Sequence, residues 1–167
     1  DIGVTGVQTC ALPIYIFDIA RKLEDKKIKF HFLGNQADNF RYYWEPLMQN
    51  KPNNCIVWGE RDDVDDFLSA SDLFFFASRG DRNNKELNPI SIKEAMEHSL
   101  PILLFDLDVY CGKYSESEGF IFLTGSVEED SQKILDILEY QDERSDSILV
   151  SYNMEENQIN QIGRAHV

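Results

Sequence analysis

The sequence predicts an α/β domain with a doubly wound parallel sheet, a Rossmann-like single domain. Short apolar runs typical of strands alternate with segments that have helical spacing along most of the chain. One run, residues 72–77, is apolar on both faces after its first residue, as a buried parallel strand should be. Strands separated by helices imply right-handed crossovers with helices on both faces of the sheet. The length of 167 residues is enough for one domain with a real core.

The predicted strands are short apolar runs bounded by turn residues. In chain order they cover residues 28–33, 54–58, 72–77, 101–105 and 120–123. The first stops at Gly34, the second stops at Gly59, and the fourth opens with Pro101. Glycine and proline at such positions favour turns, so each run has a defined end.

Three of the five predicted helices lie between these strands, one precedes the first strand and one follows the last. In chain order they cover residues 16–23, 37–49, 64–70, 89–98 and 127–140. Pro46 should kink or shorten the second helix, and Asp62 or Asp63 is a plausible N-cap for the third. Asn88 and Pro89 give the fourth helix an N-cap and a favoured first residue. Residues 141–147 are the best linker candidate, and residues 149–160 are predicted to form one more helix.

Composition excludes several classes of protein. Lys and Arg total 16 against 30 Asp and Glu, and the resulting net charge of -14 argues against broad nucleic-acid binding. No apolar run reaches the roughly 18 residues of a membrane span. The three cysteines have neither disulfide-framework nor zinc-site spacing, which favours a reducing, cytoplasmic setting.

The two ends of the chain differ from the rest. Residues 4–14 and 162–167 can be encoded by strings from opposite strands of a common short-read sequencing adapter. We therefore interpret residues 1–14 and 162–167 as adapter-derived, and residues 15–161 as the domain, a fragment open at both ends. The alternative is chance, with a signal peptide at the start and an ordinary tail at the end.

The stretch around the fourth helix carries the most chemical information. Ligands of doubly wound sheets bind beyond the carboxyl ends of the strands, and this helix begins there. The free N–H groups of Ile90, Ser91 and Ile92 should point into that cleft, where a helix start binds phosphate. Glu86 precedes the cap and Glu94 lies under two turns past it, and a carboxylate accepts paired hydrogen bonds from vicinal hydroxyls. A sugar, a diphosphate and a ribose match this layout.

These residues resemble the carboxyl-terminal half of retaining glycosyltransferases with the two-domain GT-B fold, the family 4-like group. The motif of that family is Glu, seven residues and Glu at the start of a helix, followed by Ala and by a Pro that opens the next strand. Glu86, Glu94, Ala95 and Pro101 match it. Residues 57–59 and 67–72 also look like the family, and the resemblance covers roughly residues 16–130.

The resemblance implies a role for each matching residue. Glu86 would contact the donor sugar as the catalytic residue, and Glu94 would bind the ribose hydroxyls. Asn88, Ile90 and Ser91 would offer backbone N–H groups to sugar and phosphate.

Nearby basic residues have two interpretations. Arg79, Arg82 and Lys85 either offset phosphate charge or belong to a solvated loop. Arg61 follows Gly59 at a strand end and either approaches the base or phosphates or is solvated.

The implied reaction moves a sugar from a nucleotide-diphospho sugar to an acceptor hydroxyl with retained stereochemistry, in glycan or surface polysaccharide synthesis. Neither a metal nor another cofactor is implied. The acceptor, a glycan or a lipid-linked sugar, would bind an amino-terminal domain that the sequence lacks, together with a basic pair that clamps the diphosphate. We expect no turnover by the fragment alone. The resemblance also allows a peripheral membrane association of the parent protein.

Two alternatives stay open. One is another chemistry on the same fold, such as a nucleotide-sugar epimerase or phosphorylase. The other is a non-catalytic Rossmann-like module for nucleotide binding or protein interaction.

Several further residues have interpretations that involve no function. They are His31 as a core or surface histidine, His98 as a helix-end residue, Cys55 as inert core, and Asp106 and Asp108 as a weak match to a metal motif.

Overall fold

The computed structural model describes residues 12–35, 41–76, 90–106 and 112–153. The described helices are α1 (Leu12–Lys22), α2 (Arg41–Gln49), α3 (Val64–Ala70), α4 (Ile90–Glu97) and α5 (Val127–Leu138). The described strands are β1 (Ile28–Asn35), β2 (Cys55–Gly59), β3 (Leu73–Phe76), β4 (Ile102–Leu104), β5 (Phe120–Phe122) and β6 (Asp146–Asn153). A short 3-10 turn, Glu116–Glu118, precedes β5. Within the described residues, an α-helix therefore follows each strand except β4 and β6, and the five predicted strands and five predicted helices are all present.

The six strands form one parallel sheet in the order β2-β1-β6-β3-β4-β5. The chain runs from β1 outward to β2 at one edge of the sheet. It then crosses back through α3 to β3 and runs outward through β4 to β5 at the other edge. β6 returns to the centre, between β1 and β3. This confirms the predicted doubly wound α/β fold class.

Two apolar layers cover the two faces of the sheet. On one face, α1 and α5 pack against each other and against side chains that include Phe30, Phe75 and Val150. On the other face, α3 and α4 pack against a second cluster that includes Phe74 and Leu149. Successive residues of one strand thus enter opposite clusters, because side chains alternate across a sheet. Burial on both faces explains why the strands are apolar runs rather than alternating patterns.

The carboxyl-terminal part of the chain corrects the sequence prediction. Instead of a helix over residues 149–160, the structure has β6 from Asp146 to Asn153 at the centre of the sheet. Its first two residues come from the predicted linker, and residues 154–160 lie outside the described part. Residues 146–153 form a strand because a strand at the centre of the sheet is covered on both faces. Ile148, Leu149 and Val150 have at most 1% exposure, and their side chains alternate between the two covered faces.

The helix bounds also refine the expectations. α1 begins at Leu12, three residues before the domain boundary that the adapter interpretation gives. α2 begins at Arg41 and contains Pro46 within its span. Asp63 is the N-cap residue of α3 but makes no side-chain cap hydrogen bond, because its carboxylate binds Arg61 instead. Ser126 does cap α5, accepting a hydrogen bond from the Glu129 amide.

Candidate functional site

The candidate site lies at the carboxyl edge of the sheet, where four strand ends meet. Leu33 of β1 pairs with Gly59 of β2 on one side and with Ser151 of β6 on the other. Ser151 in turn pairs with Phe76 at the end of β3. The direction of winding reverses across this row, and a reversal of that kind opens a crevice where ligands of doubly wound sheets bind.

Helix α4 begins at the same edge. Ile90 and Ser91 lie in its first turn, where backbone N–H groups have no intrahelical acceptor. Ile92 and Ala95 are buried at 1% and 0% exposure, in the cluster that includes Phe74 and Leu149. This packing fixes the helix on the sheet, and its start points out beyond the strand ends.

Glu94 lies one turn after Ile90 on the same side of α4, because residues four apart in a helix are neighbours. Its side chain is half-exposed. Within the described part of the chain, no hydrogen-bond or ion-pair partner reaches its carboxylate. The predicted role of this carboxylate in binding ribose hydroxyls stays a prediction.

The far end of α4 is tied to α3 through a histidine. The Glu94 carbonyl oxygen accepts hydrogen bonds from the backbone N–H of His98 (3.3 Å) and from His98 Nδ1 (2.9 Å). His98 Nε2 lies 3.4 Å from Asp65 Oδ1 on α3. The predicted helix-end role of His98 is consistent with these contacts, which join the two helices on this face.

Most of the predicted sugar and phosphate contacts fall in one segment, residues 77–89, outside the described residues. Glu86, Asn88, Lys85 and Arg79 all belong to it, together with Arg82. Their roles stay predictions. Of the predicted site residues, the structure places Ile90, Ser91, Glu94 and Arg61.

Arg61 follows β2 and engages Asp63 through both ends of its guanidinium group. Arg61 Nε lies 2.9 Å from Asp63 Oδ1, and Arg61 Nη2 lies 2.8 Å from Asp63 Oδ2. The hydrogen bond and the charge of Asp63 raise the pKa of Arg61, and the same contact with Arg61 lowers the pKa of Asp63. Both groups are exposed, so solvent screens the pair. Arg61 would have to exchange this partner, or share it, to reach a phosphate.

An aromatic cluster beside Arg61 was not predicted as part of the site. The guanidinium carbon of Arg61 lies 5.4 Å from the Trp58 ring centre and 5.6 Å from that of Phe67. Trp58, which is 42% exposed, donates its indole N–H to His31 Nδ1 over 3.2 Å. Burial, followed by the charge of Lys29, lowers the pKa of His31, which fits the neutral ring that this bond requires. The signal in the sequence was that residues 57–59 and 67–72, which contain Trp58 and Phe67, look like the family.

The turn after β5, at the same edge, is built around a buried carboxylate. Asp130 of α5 has no exposed surface. It accepts the backbone N–H groups of Thr124 (2.9 Å) and Gly125 (3.0 Å), the Thr124 hydroxyl (2.9 Å) and the Tyr15 hydroxyl. The structure shows an anchor that fixes the turn and connects it to α1.

Asp106 and Asp108 are the weak match to a metal motif in the sequence. Asp106, after β4, is exposed, whereas Asp108 lies outside the described residues. Residues 12–35, 41–76, 90–106 and 112–153 contain no group of three or more His, Cys, Asp or Glu that could hold a metal ion. Among the helices described above, none is long and apolar enough to cross a membrane.

Comparison with known proteins gives one match. The family model described as glycosyl transferases group 1 matches residues 13–153, which includes every described strand and helix apart from the first residue of α1. No curated protein and no solved structure matches the chain significantly.

Proposed function

Because the chain belongs to the glycosyl transferases group 1 family, we propose that it is the donor-binding domain of a retaining glycosyltransferase. The donor is a nucleotide-diphospho sugar, and the acceptor is a hydroxyl group of a glycan or of a lipid-linked sugar. The setting we propose is cytoplasmic synthesis of a glycan or surface polysaccharide, with the parent protein associated peripherally with a membrane.

The arrangement of α4 is the observation that supports this proposal best. Its free N–H groups at Ile90 and Ser91 and the carboxylate of Glu94 lie one helical turn apart at the edge where the winding reverses. A helix start stabilises negative charge through its N–H groups and its dipole. A carboxylate one turn away suits a ribose whose hydroxyl groups lie beside the diphosphate. One nucleotide diphosphate can therefore use both features.

The proposed site also includes residues from the segment before α4 and one residue after β2. Glu86 would contact the sugar, and the backbone of Asn88 would donate to sugar or phosphate. Lys85 and Arg79 would offset phosphate charge in a protein whose net charge is -14. Arg61 would approach the base or the phosphates from the end of β2.

Catalysis in the proposed reaction is mainly positioning. The bond between the anomeric carbon and the diphosphate oxygen breaks, the acceptor oxygen bonds to the same face of that carbon, and the proton of the acceptor hydroxyl passes to the departing diphosphate. Groups that stabilise charge where it develops on the leaving diphosphate lower the barrier. In this chain the start of α4 is the described element that can do so, and no metal or further cofactor is part of the proposal.

A binding experiment tests the donor site directly. The full chain, labelled with 15N, is titrated with the diphosphates of uridine, guanosine and adenosine, and amide chemical shifts are followed. We expect the largest changes at Ile90, Ser91 and Glu94 for one preferred base. Shifts confined to α5 and β5, or no saturable shifts with any of the three, would contradict a donor site at α4 and favour a non-catalytic interaction module.

A further inference from the structure

The central strand of the sheet is also the last described strand of the chain. β6 lies between β1 and β3 and pairs with both in parallel, from Ile28↔Asp146 to Asn35↔Asn153 and from Leu73↔Ile148 to Phe76↔Ser151. β1 and β3 do not pair with each other. Removing β6 would therefore split the sheet into β2-β1 and β3-β4-β5. The gap between β1 and β3 is a two-sided acceptor for one parallel strand.

A short, exposed and strained connection leads into β6. α5 ends at Leu138, β6 begins at Asp146, and residues 141–145 are all exposed. Glu139 has φ 48° and ψ 52°, the left-handed conformation that side chains other than glycine rarely adopt. Strained hinges of this length favour exchange of the element that they carry. An extended hinge needs no left-handed residue, so opening the turn releases this strain.

The closed turn makes contacts of its own besides those of β6. Tyr140 packs against the core cluster that includes Phe30, its hydroxyl accepts the Lys27 backbone N–H over 2.9 Å, and the Arg144 backbone N–H donates to the Gln141 carbonyl over 3.0 Å. The Tyr140 backbone N–H donates to the Leu135 carbonyl over 3.1 Å, and the Arg144 guanidinium group donates to the Leu138 carbonyl. β6 itself makes more interactions with the rest of the domain than the turn that precedes it. Ile148, Leu149 and Val150 are buried, and both neighbouring strands supply backbone hydrogen bonds. A second copy of the chain can provide all of these strand contacts unchanged.

We propose that two copies of this chain exchange β6 and form a dimer. In the dimer, residues 139–145 of each copy extend, spanning about 23 Å, and β6 of each copy lies between β1 and β3 of the other. Exchange of an identical element keeps the strand pairings and the burial of β6, and the dimer loses only contacts made by the turn at residues 139–145. Residues 151–153 of one copy then end at the carboxyl edge of the other, and each edge is completed by its partner. The exchange does not depend on sugar transfer.

An engineered disulfide distinguishes exchange from the closed monomer. Lys29 and Ser147 are register partners on β1 and β6. Neighbouring strands are about 4.8 Å apart, within the range of Cα distances that a disulfide spans. The double variant K29C/S147C, with Cys10, Cys55 and Cys111 replaced by alanine, is refolded at high protein concentration and oxidised. We expect a covalent dimer on a non-reducing gel.

The matched control joins two strands that stay within one copy. His31 and Ile56 are register partners on β1 and β2, so H31C/I56C in the same background should give an internally linked monomer in either arrangement. If K29C/S147C also gives only an internally linked monomer, the exchange proposal is wrong, even if the protein is dimeric through another surface.

The hinge provides a second test that needs no disulfide. The mass of the natural chain in solution is measured by light scattering after concentrated refolding. E139G relieves the left-handed strain of the closed turn, so we expect it to weaken the dimer roughly 5- to 30-fold for each hinge. E143G, at an exposed position without positive φ, should weaken it less. A monomer at every concentration, or a dimer that E139G leaves unchanged, would overturn the proposal.

Discussion

Asp72 and Ser147 are joined by two hydrogen bonds at the amino ends of β3 and β6. The Asp72 backbone N–H donates to the Ser147 carbonyl over 2.8 Å, and the Ser147 backbone N–H donates to Asp72 Oδ2 over 2.8 Å. The bond from the Asp72 backbone extends the backbone hydrogen bonding between β3 and β6 by one residue. The bond to the Asp72 carboxylate gives the Ser147 backbone N–H an acceptor on a side chain. A residue just before β3 thereby fixes where β6 begins.

The Asp72 carboxylate should therefore stabilise the fold. Replacing it with alanine removes the acceptor of the Ser147 amide, and we expect Asp72→Ala to lower the free energy of unfolding by about 1 kcal/mol. Urea unfolding followed by circular dichroism measures the change. Asp25→Ala is the matched control, because Asp25 is exposed and has only a long 3.9 Å ion pair with Lys26. Equal effects of the two substitutions would show that the Asp72 bond adds nothing.

Glu94 should matter only for nucleotides that carry ribose hydroxyls. Hydrogen bonds to a charged group contribute about 1.5–3 kcal/mol, so we expect Glu94→Gln to weaken binding of the preferred nucleoside diphosphate about 10- to 100-fold. Its 2′,3′-dideoxy analogue lacks those hydroxyls, and the substitution should leave its affinity nearly unchanged. Calorimetric titration of both ligands gives the comparison.

The control for this prediction lies on the same helix. Glu97 is exposed near the end of α4, so Glu97→Gln removes the same charge away from the crevice. We expect it to change neither affinity by more than about twofold, because exposed charges are screened. If Glu94→Gln weakened both ligands equally, Glu94 would act through general electrostatics and not through the ribose.

Asp146 should make stability depend on pH. Its side chain has no exposed surface, and burial raises its pKa above the ordinary value of 3.8, although the Arg144 guanidinium group 3.0 Å away acts in the other direction. A raised pKa in the folded state means that the fold favours the protonated carboxyl. The resulting stabilisation is present below the ordinary pKa and is lost as pH rises through the folded-state pKa.

Asp146→Asn removes this titration. We expect the natural chain to lose stability relative to the variant as pH rises from about 4 to about 7, as measured by urea midpoints at each pH. The exposed Asp142→Asn serves as the control and should show no such trend. A variant that instead became relatively weaker with rising pH would mean that the ion pair with Arg144 outweighs burial.

Cys55 should be chemically inert in the folded protein. It is fully buried, and burial raises the pKa of its thiol to about 12, with Lys51 and Arg21 lowering it less. In a C10S/C111S variant we expect its reaction with an aromatic disulfide at pH ~8 to be about a thousandfold slower than that of a free thiol. The reaction should become fast on unfolding in urea. Fast reaction under native conditions would contradict the burial of β2.

Much of the fold could be predicted because the evidence for it is local. The β3 run, which is apolar on both faces, and the turns at Gly34 and Gly59 place buried parallel strands without reference to any other part of the chain. The candidate site was predicted in part for the same reason. Spacing along one helix puts Glu94 one turn from Ile90, and this spacing depends only on helix geometry.

Other features depended on partners that are distant in sequence. The Trp58 indole finds its acceptor on His31 of the neighbouring strand, and the Asp130 carboxylate gathers Thr124, Gly125 and Tyr15 from a turn and from another helix. No local pattern specifies these contacts, because they arise only after the sheet has formed and the helices have packed on it.

The sequence by itself determined that this protein is built from strands and helices in succession, that its strands are parallel and buried, and that a helix with a carboxylate one turn inside begins at the carboxyl edge of the sheet. Only the tertiary structure decided which strand is central. The run at Ile148, Leu149 and Val150 is too short for its periodicity to separate a strand from a helix. Its conformation was settled by the backbone groups of β1 and β3, because each needs a hydrogen-bonding partner in the gap that β6 fills.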